Sequence, residues 1–277
     1  MRSVRDVVSA PEDWLVESVR GFGPFTTRIE FRLPDGSRRV WRSRRQRKAD
    51  PAAVAAGRRA VPRRTWWIAA LFAVGSTCFA LGSMPPYFNA VSARVDGLTF
   101  FVGSIFFTTA SYLCFAEVAG TPDDVGPGTP RRLRLLSIRP HRIDWWATSV
   151  QLVGTVFFNI TTFTALHDDW DATRANHLVW LPDAAGSVCF LVSSYLAWAE
   201  VCHGAGRLKF RDVSWWIVVL NLAGSVFFGV SAVASKFVAQ GEVRNLQLTN
   251  AGTWLGAVCF LAGAVLLVPE ARRTPEG

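Results

Sequence analysis

Six apolar runs, at 66–83, 98–118, 145–166, 179–201, 215–234 and 251–268, dominate the chain. Each is roughly 18 to 23 residues long, enough to cross about 30 Å of hydrocarbon at about 1.5 Å per helical residue. Lipid offers no water to satisfy backbone N–H and C=O groups, so each run is predicted to be a helix. The runs are apolar on all sides, unlike the surface helices of a soluble fold, which keep a polar face. The fold class that follows is all-α integral membrane, with six transmembrane helices.

Charge supplies the orientation. Of the 30 Lys and Arg, 16 fall in residues 1–64, five in 120–143, three in 202–213 and two after 270. The three alternate connections share the remaining four. The positive-inside rule then places both termini and the second and fourth connections in the cytoplasm. The expected location is the plasma (inner) membrane, multi-pass. Residues 1–64 are too polar to read as a signal peptide. Five Cys at 78, 114, 189, 202 and 259 form no CxxC pair, so they read as reduced, small hydrophobes.

The runs repeat. Trp66, Trp145 and Trp215 each stand nine residues before Gly75, Gly154 and Gly224. Four residues after those glycines come Phe79, Phe158 and Phe228. In the alternate runs, Gly103, Gly186 and Gly256 precede Phe107, Phe190 and Phe260 by four residues, and Glu117, Glu200 and Glu270 by fourteen. The unit is a two-span hairpin written three times, and repeats of this kind take precedence in reading a fold. Units of the same orientation make parallel repeats about an axis along the membrane normal. The expected organisation is a basic cytoplasmic region and linker at 1–64, repeat one at 65–120 and a loop at 121–143. Repeat two at 144–204, repeat three at 214–271 and a tail at 272–277 complete it.

Each repeated residue has a physical role in this reading. Thr65, Asp144 and Ser214 are expected to cap their helices. The pairs Trp66 and Trp67, Trp145 and Trp146, and Trp215 and Trp216 are expected as interfacial anchors. The six repeated glycines are expected at helix contacts, where a missing side chain lets backbones approach. The stretch AGTWLGAVCFLAGAVLLVPEA at 251–271 resembles the second span of the small YrhK-like membrane domain, a family of unknown activity. The resemblance implies a membrane protein built from two-span units and carries no reaction, cofactor or site residue.

Outside the spans, RIEFRLPDGSRRVWRSR at 28–44 alternates apolar and charged residues around a PDGS turn and reads as a β-hairpin. Hairpins are marginal alone, so it is expected to lean on the bundle, the membrane or another copy. The basic run 38–48 reads as a patch for anionic lipid rather than for nucleic acid. A homo-oligomer or a protein partner is the further expectation.

Polar residues inside the bilayer are the candidate functional groups. They are Gln151 and Asn221, at equivalent repeat positions, and the deeper Asn159. Glu117, Glu200 and Glu270 are candidate inner-mouth carboxylates, with loop arginines as the expected partners. His141 and His203 fall at the inner edge and His167 and His177 at the outer, among Asp168, Asp169 and Asp171. Their spacing nominates no metal, haem or other cofactor, and no catalytic motif is present. The expected function is structural, sensory or scaffolding. The alternative is a small transporter or channel along the bundle axis, wet if lined by Gln151, Asn159 and Asn221, dry if packed by the repeated Phe.

Overall fold

The computed structural model describes residues 8, 10–48, 61–121, 136–167, 170–203, 209–239 and 242–272. An N-terminal sheet of β1 (Leu15–Phe22), β2 (Phe25–Arg32) and β3 (Arg38–Arg42) is followed by a short helix, α1 (Ser43–Lys48). Six long helices follow: α2 (Arg63–Gly82), α3 (Ala93–Ala119), α4 (Ile143–Thr164), α5 (Leu181–Cys202), α6 (Val213–Ala234) and α7 (Leu246–Arg272). A single π-helical turn, Asn176–Trp180, leads into α5, and a small hairpin, β4 (Phe237–Ala239) and β5 (Glu242–Val243), precedes α7.

Among the described residues, five helical stretches are long and apolar enough to cross a membrane: Arg63–Gly82, Ala93–Ala119, Ala172–Cys202, Val213–Ala234 and Leu246–Arg272. This is the make-up of a membrane protein. α4 has 22 residues, but Asp144, Gln151, Asn159 and its threonines dilute its apolar character, and it falls outside that group.

Each long helix packs on its sequence neighbours, and α7 closes on α2, so the six form a ring. Glycine sets the closeness of the pairs. A methyl group on Gly75 would lie 2.6 Å from the Phe107 ring, and one on Gly103 would lie 2.8 Å from Cys78 and 3.1 Å from the Phe79 ring. Gly154 meets Phe190 in the same way at 2.9 Å, and Gly186 meets Phe158 at 3.0 Å. Gly224 meets Phe260 at 3.2 Å, and Gly256 meets Phe228 more closely still. A glycine on one helix thus seats a phenylalanine from its partner, twice in each of three pairs. Pairing 75 with 107 and 79 with 103 means the two helices run in opposite directions.

Between pairs, hydroxyl groups make the contacts. Ser104 and Thr162 share a hydrogen bond of 3.0 Å across α3 and α4, and Ser194 and Ser225 one of 2.8 Å across α5 and α6. Lipid gives no hydrophobic drive between helices, so close backbones and such bonds hold a bundle together.

The hairpin read at 28–44 is β2–β3, with Ile29 opposite Trp41 and Gly36 in the turn at φ 81°. β1 adds a third antiparallel strand that the sequence reading did not include. Val8, Ile29, Phe31 and Trp41 form this sheet's own small core.

The capping expectation is corrected. Thr65, Asp144 and Ser214 lie inside the first helical turn, and Pro62, Arg142 and Asp212 hold the cap positions. Asp212 does cap α6, accepting from the Ser214 N–H at 2.9 Å. Ser214 and Asp144 use their side chains elsewhere, as follows.

Candidate functional site

The repeated phenylalanines meet on the bundle axis. Phe79, Phe158 and Phe228 form one triangle, with ring centroids 5.7 to 6.3 Å apart. Phe107, Phe190 and Phe260 form a second, at 5.8 to 6.4 Å. The triangles stack at 5.0 to 5.7 Å through the pairs 79–107, 158–190 and 228–260. All six rings are buried. Aromatic pairs at such separations each stabilise by about 0.5–1.5 kcal/mol beyond the area they bury.

At one end of the ring sit the three candidate mouth carboxylates, and the sheet covers that end. α1 lies across it. Arg44 makes two contacts with Glu270, at 2.8 and 3.3 Å, and Lys48 reaches the same carboxylate at 3.3 Å. Ser43 donates to Glu200 at 2.6 Å. Arg47 bridges Asp144 at 3.0 Å and Glu200 at 3.4 Å, and Glu117 adds its field to the same guanidinium. Asp144 also pairs with Arg142 at 2.7 Å, and Ser214 donates to Glu270 at 2.6 Å. The partners of Glu200 and Glu270 are therefore α1 and Ser214, not the loop arginines expected from the sequence.

Burial works against the Arg47 charge, but Glu200, Asp144 and Glu117 outweigh it and raise its pKa. The Arg47 side chain is 8% exposed and stays ionised. Breaking a buried pair of this kind strands the remaining charge and typically costs about 3–5 kcal/mol.

Beneath α1 lies a cavity of about 110 Å³. Its floor is Phe107, Phe190 and Phe260, with Phe72 beside them. Its walls include Gln151, Asn221, Ser193, Ser194 and Cys114, and its roof Arg44, Arg47, Lys48, Glu117 and Glu200. The structure thus brings Gln151 and Asn221 together in one space. Asn159 is not among the lining residues, and its buried Oδ1 has no hydrogen-bond partner among the described residues.

The anchors divide. Trp66, Trp67, Trp146 and Trp216 are exposed at the rim. Trp145 is half-buried and donates to the Ser137 carbonyl at 2.7 Å. Trp215 departs from its expected role: it is buried against Val201, Cys202 and Val218, inside the packing between α5 and α6.

Two contacts join the sheet to α5. Phe22 stands edge-on to Tyr195 at 5.8 Å, and Thr27 Oγ1 lies 2.9 Å from His203 Nδ1. His203 has φ 52°, a left-handed conformation rare for a residue with a side chain. Burial, then the charges of Lys209, Arg42, Arg28 and Arg20, pull its pKa down to about 3. The sequence reading set His203 aside as a non-ligand and gave it no part in docking; its partner lies 176 positions away.

Among the described residues no group of three or more His, Cys, Asp or Glu could hold a metal ion. Asp168 and Asp169 lie outside the described residues. The described cysteines are free thiols. Comparison with known protein families, with curated proteins and with solved structures found no match.

Proposed function

We propose that the chain is a six-span inner-membrane protein of the structural or sensory kind, with the N-terminal sheet docked on the cytoplasmic end of its bundle. The observation that carries this is the double triangle of phenyl rings. A continuous water path needs polar or at least open lining, and here six rings fill the axis. The cavity lined by Gln151 and Asn221 is bounded by the Phe107, Phe190 and Phe260 rings and by α1. A transporter or channel, the alternative, needs both closures to part.

The threefold recurrence of the Gly–Phe seat supports three parallel two-helix repeats. The charge distribution supports cytoplasmic termini. For an anionic-lipid contact, the best-placed groups are Arg63 and Arg64 beside the exposed Trp66 and Trp67. Arg44, Arg47 and Lys48 are already engaged with carboxylates. The YrhK-like reading of 251–271 has the sequence resemblance as its support.

The test is flux. Liposomes containing the full chain should hold K⁺, Na⁺, H⁺ and Cl⁻ gradients as well as empty ones do. Protein-dependent flux of any of these would overturn the reading in favour of transport.

A further inference from the structure

We propose that the cavity between the phenyl floor and α1 is a binding site for a small organic cation, and that α1 is a tethered competitor for the same carboxylates. The proposal deepens the sensory reading above and rests on it.

The bundle itself brings four carboxylates to this mouth: Glu117, Asp144, Glu200 and Glu270. All are buried or nearly so, with Glu117, Asp144 and Glu200 at 4%, 1% and 2% exposure and the Glu270 side chain at 9%. In the ion pairs they make, the bundle contributes Arg142, and the other cations, Arg44, Arg47 and Lys48, come from α1. The bundle end is thus an anionic receptor, neutralised by a separate piece of chain. α1 has six residues, far below the length at which a helix holds by itself. Its place depends on those pairs, and a free cation that takes them removes its reason to stay.

The space behind the carboxylates defines the rest of the ligand. Phe72, Phe107, Phe190 and Phe260 present rings to it, and ring faces attract cations and accept flat apolar groups. The Gln151 and Asn221 amides line the same space and have no protein hydrogen-bond partner among the described residues. Their carbonyl oxygens suit N–H donors. With α1 displaced, the charged groups left at the cavity are Glu117 and Glu200, which repel an anion. A purely apolar guest would leave both amides unpaired at a cost. The volume accommodates several waters or one small organic molecule. Once α1 has withdrawn Arg44, Arg47 and Lys48, a planar amidinium, guanidinium or ammonium on a short apolar body suits the rings, the two amides, Glu117 and Glu200.

Benzamidine is the probe, with neutral benzamide of nearly the same shape as its control. Calorimetry on the full chain in lipid nanodiscs should show heat for benzamidine and none for benzamide. Arg44→Gln/Lys48→Gln, which loosens α1 and leaves the carboxylates, should tighten benzamidine about tenfold or more, since a competitor's removal restores the competent fraction. A second readout needs no substitution. Cys114 lines the cavity, so benzamidine should slow its alkylation by N-ethylmaleimide, followed by peptide mass mapping, and benzamide should not. Absence of both heat and protection overturns the proposal. Equal binding of benzamide overturns it too, as does heat without protection, which puts the ligand elsewhere. If benzamidine fails while the liposomes hold their gradients, this inference alone falls; if gradients leak, the function above falls with it.

Discussion

At the scale of single residues, the bundle depends on what its glycines lack. A methyl group at Gly256 would overlap the Phe228 ring and lie 2.9 Å from the Gly224 carbonyl. The neighbour is a ring packed among five others, so it cannot swing away. Gly229, next to Phe228 on α6, would by contrast meet the end of the Leu191 side chain at 3.4 Å, an ordinary van der Waals contact. Alanine in a helix interior is favoured over glycine by about 1 kcal/mol, so the two sites should respond with opposite sign. Gly256→Ala should lower stability by about 1–3 kcal/mol through overpacking, and Gly229→Ala should leave it unchanged or raise it. Denaturant unfolding in micelles, followed by far-ultraviolet circular dichroism, reads both. At the mouth, Arg47→Gln should free the sheet end and cost about 3–5 kcal/mol, because Glu200 and Asp144 stay buried with less countercharge. Arg142 keeps Asp144 partly paired, so the larger part of the loss belongs to Glu200.

At the scale of elements, the sheet and α1 dock as one piece, and His203 makes the docking sensitive to pH. Its pKa is near 3 when docked, against an ordinary value of about 6.5. A depressed value means the docked state favours the neutral ring. The contribution is fully present above about 6.5 and declines as pH falls toward 3. The charged groups that shift it, Lys209, Arg42, Arg28 and Arg20, are all cationic, so none of them reverses the sign. Spin labels at the exposed Val16 and Ile138 should report one distance at pH 7.5 and a broadened distribution at pH 5. His203→Gly, which suits the left-handed backbone, should abolish that change; a pH response that survives it would assign the effect elsewhere. The long helices and the Gly–Phe seats were legible because their signals are local and periodic. α1 was not: its partners Asp144, Glu200 and Glu270 lie roughly 100 to 226 positions away, and a run of arginines looks the same whether it faces lipid or carboxylate. β1 was missed because almost every side chain in it is exposed, which erases the alternation that marks a strand. The caps were misjudged because a hydroxyl or carboxylate just before a Trp pair serves equally well as a partner for a distant charge.

At the scale of the whole molecule, parity supports the proposed six-span reading. Arg44 and Lys48 precede the first long helix, and Glu270 ends the last one, yet they form ion pairs. Both ends of the helical segment therefore lie at the same end of the bundle, which supports an even number of crossings between them. The five most apolar helices alone leave an odd count; on the proposed six-span reading α4 supplies the sixth. Its polarity is no obstacle, because its threonines return their hydroxyls to their own backbone. Thr148 donates to the Asp144 carbonyl at 2.8 Å, Thr162 to Phe158 at 2.7 Å and Thr164 to Ile160 at 2.8 Å. Gln151 turns to the cavity, and Asp144 stays at the mouth with Arg47 and Arg142. The cost of a polar group in lipid falls steeply when it faces the interior or its own helix. Single cysteines placed at Asp13, Ile138 and Arg211 in a cysteine-free chain should be labelled by a membrane-impermeant maleimide from the same side. Cysteines at Arg94, Arg174 and Arg244 should be labelled from the opposite side. In right-side-out vesicles only the second set should react, since the positive-inside rule puts the first in the cytoplasm. Ile138 and Arg174 reacting from one side would mean that α4 does not cross, and the six-span reading would fail on that pair alone.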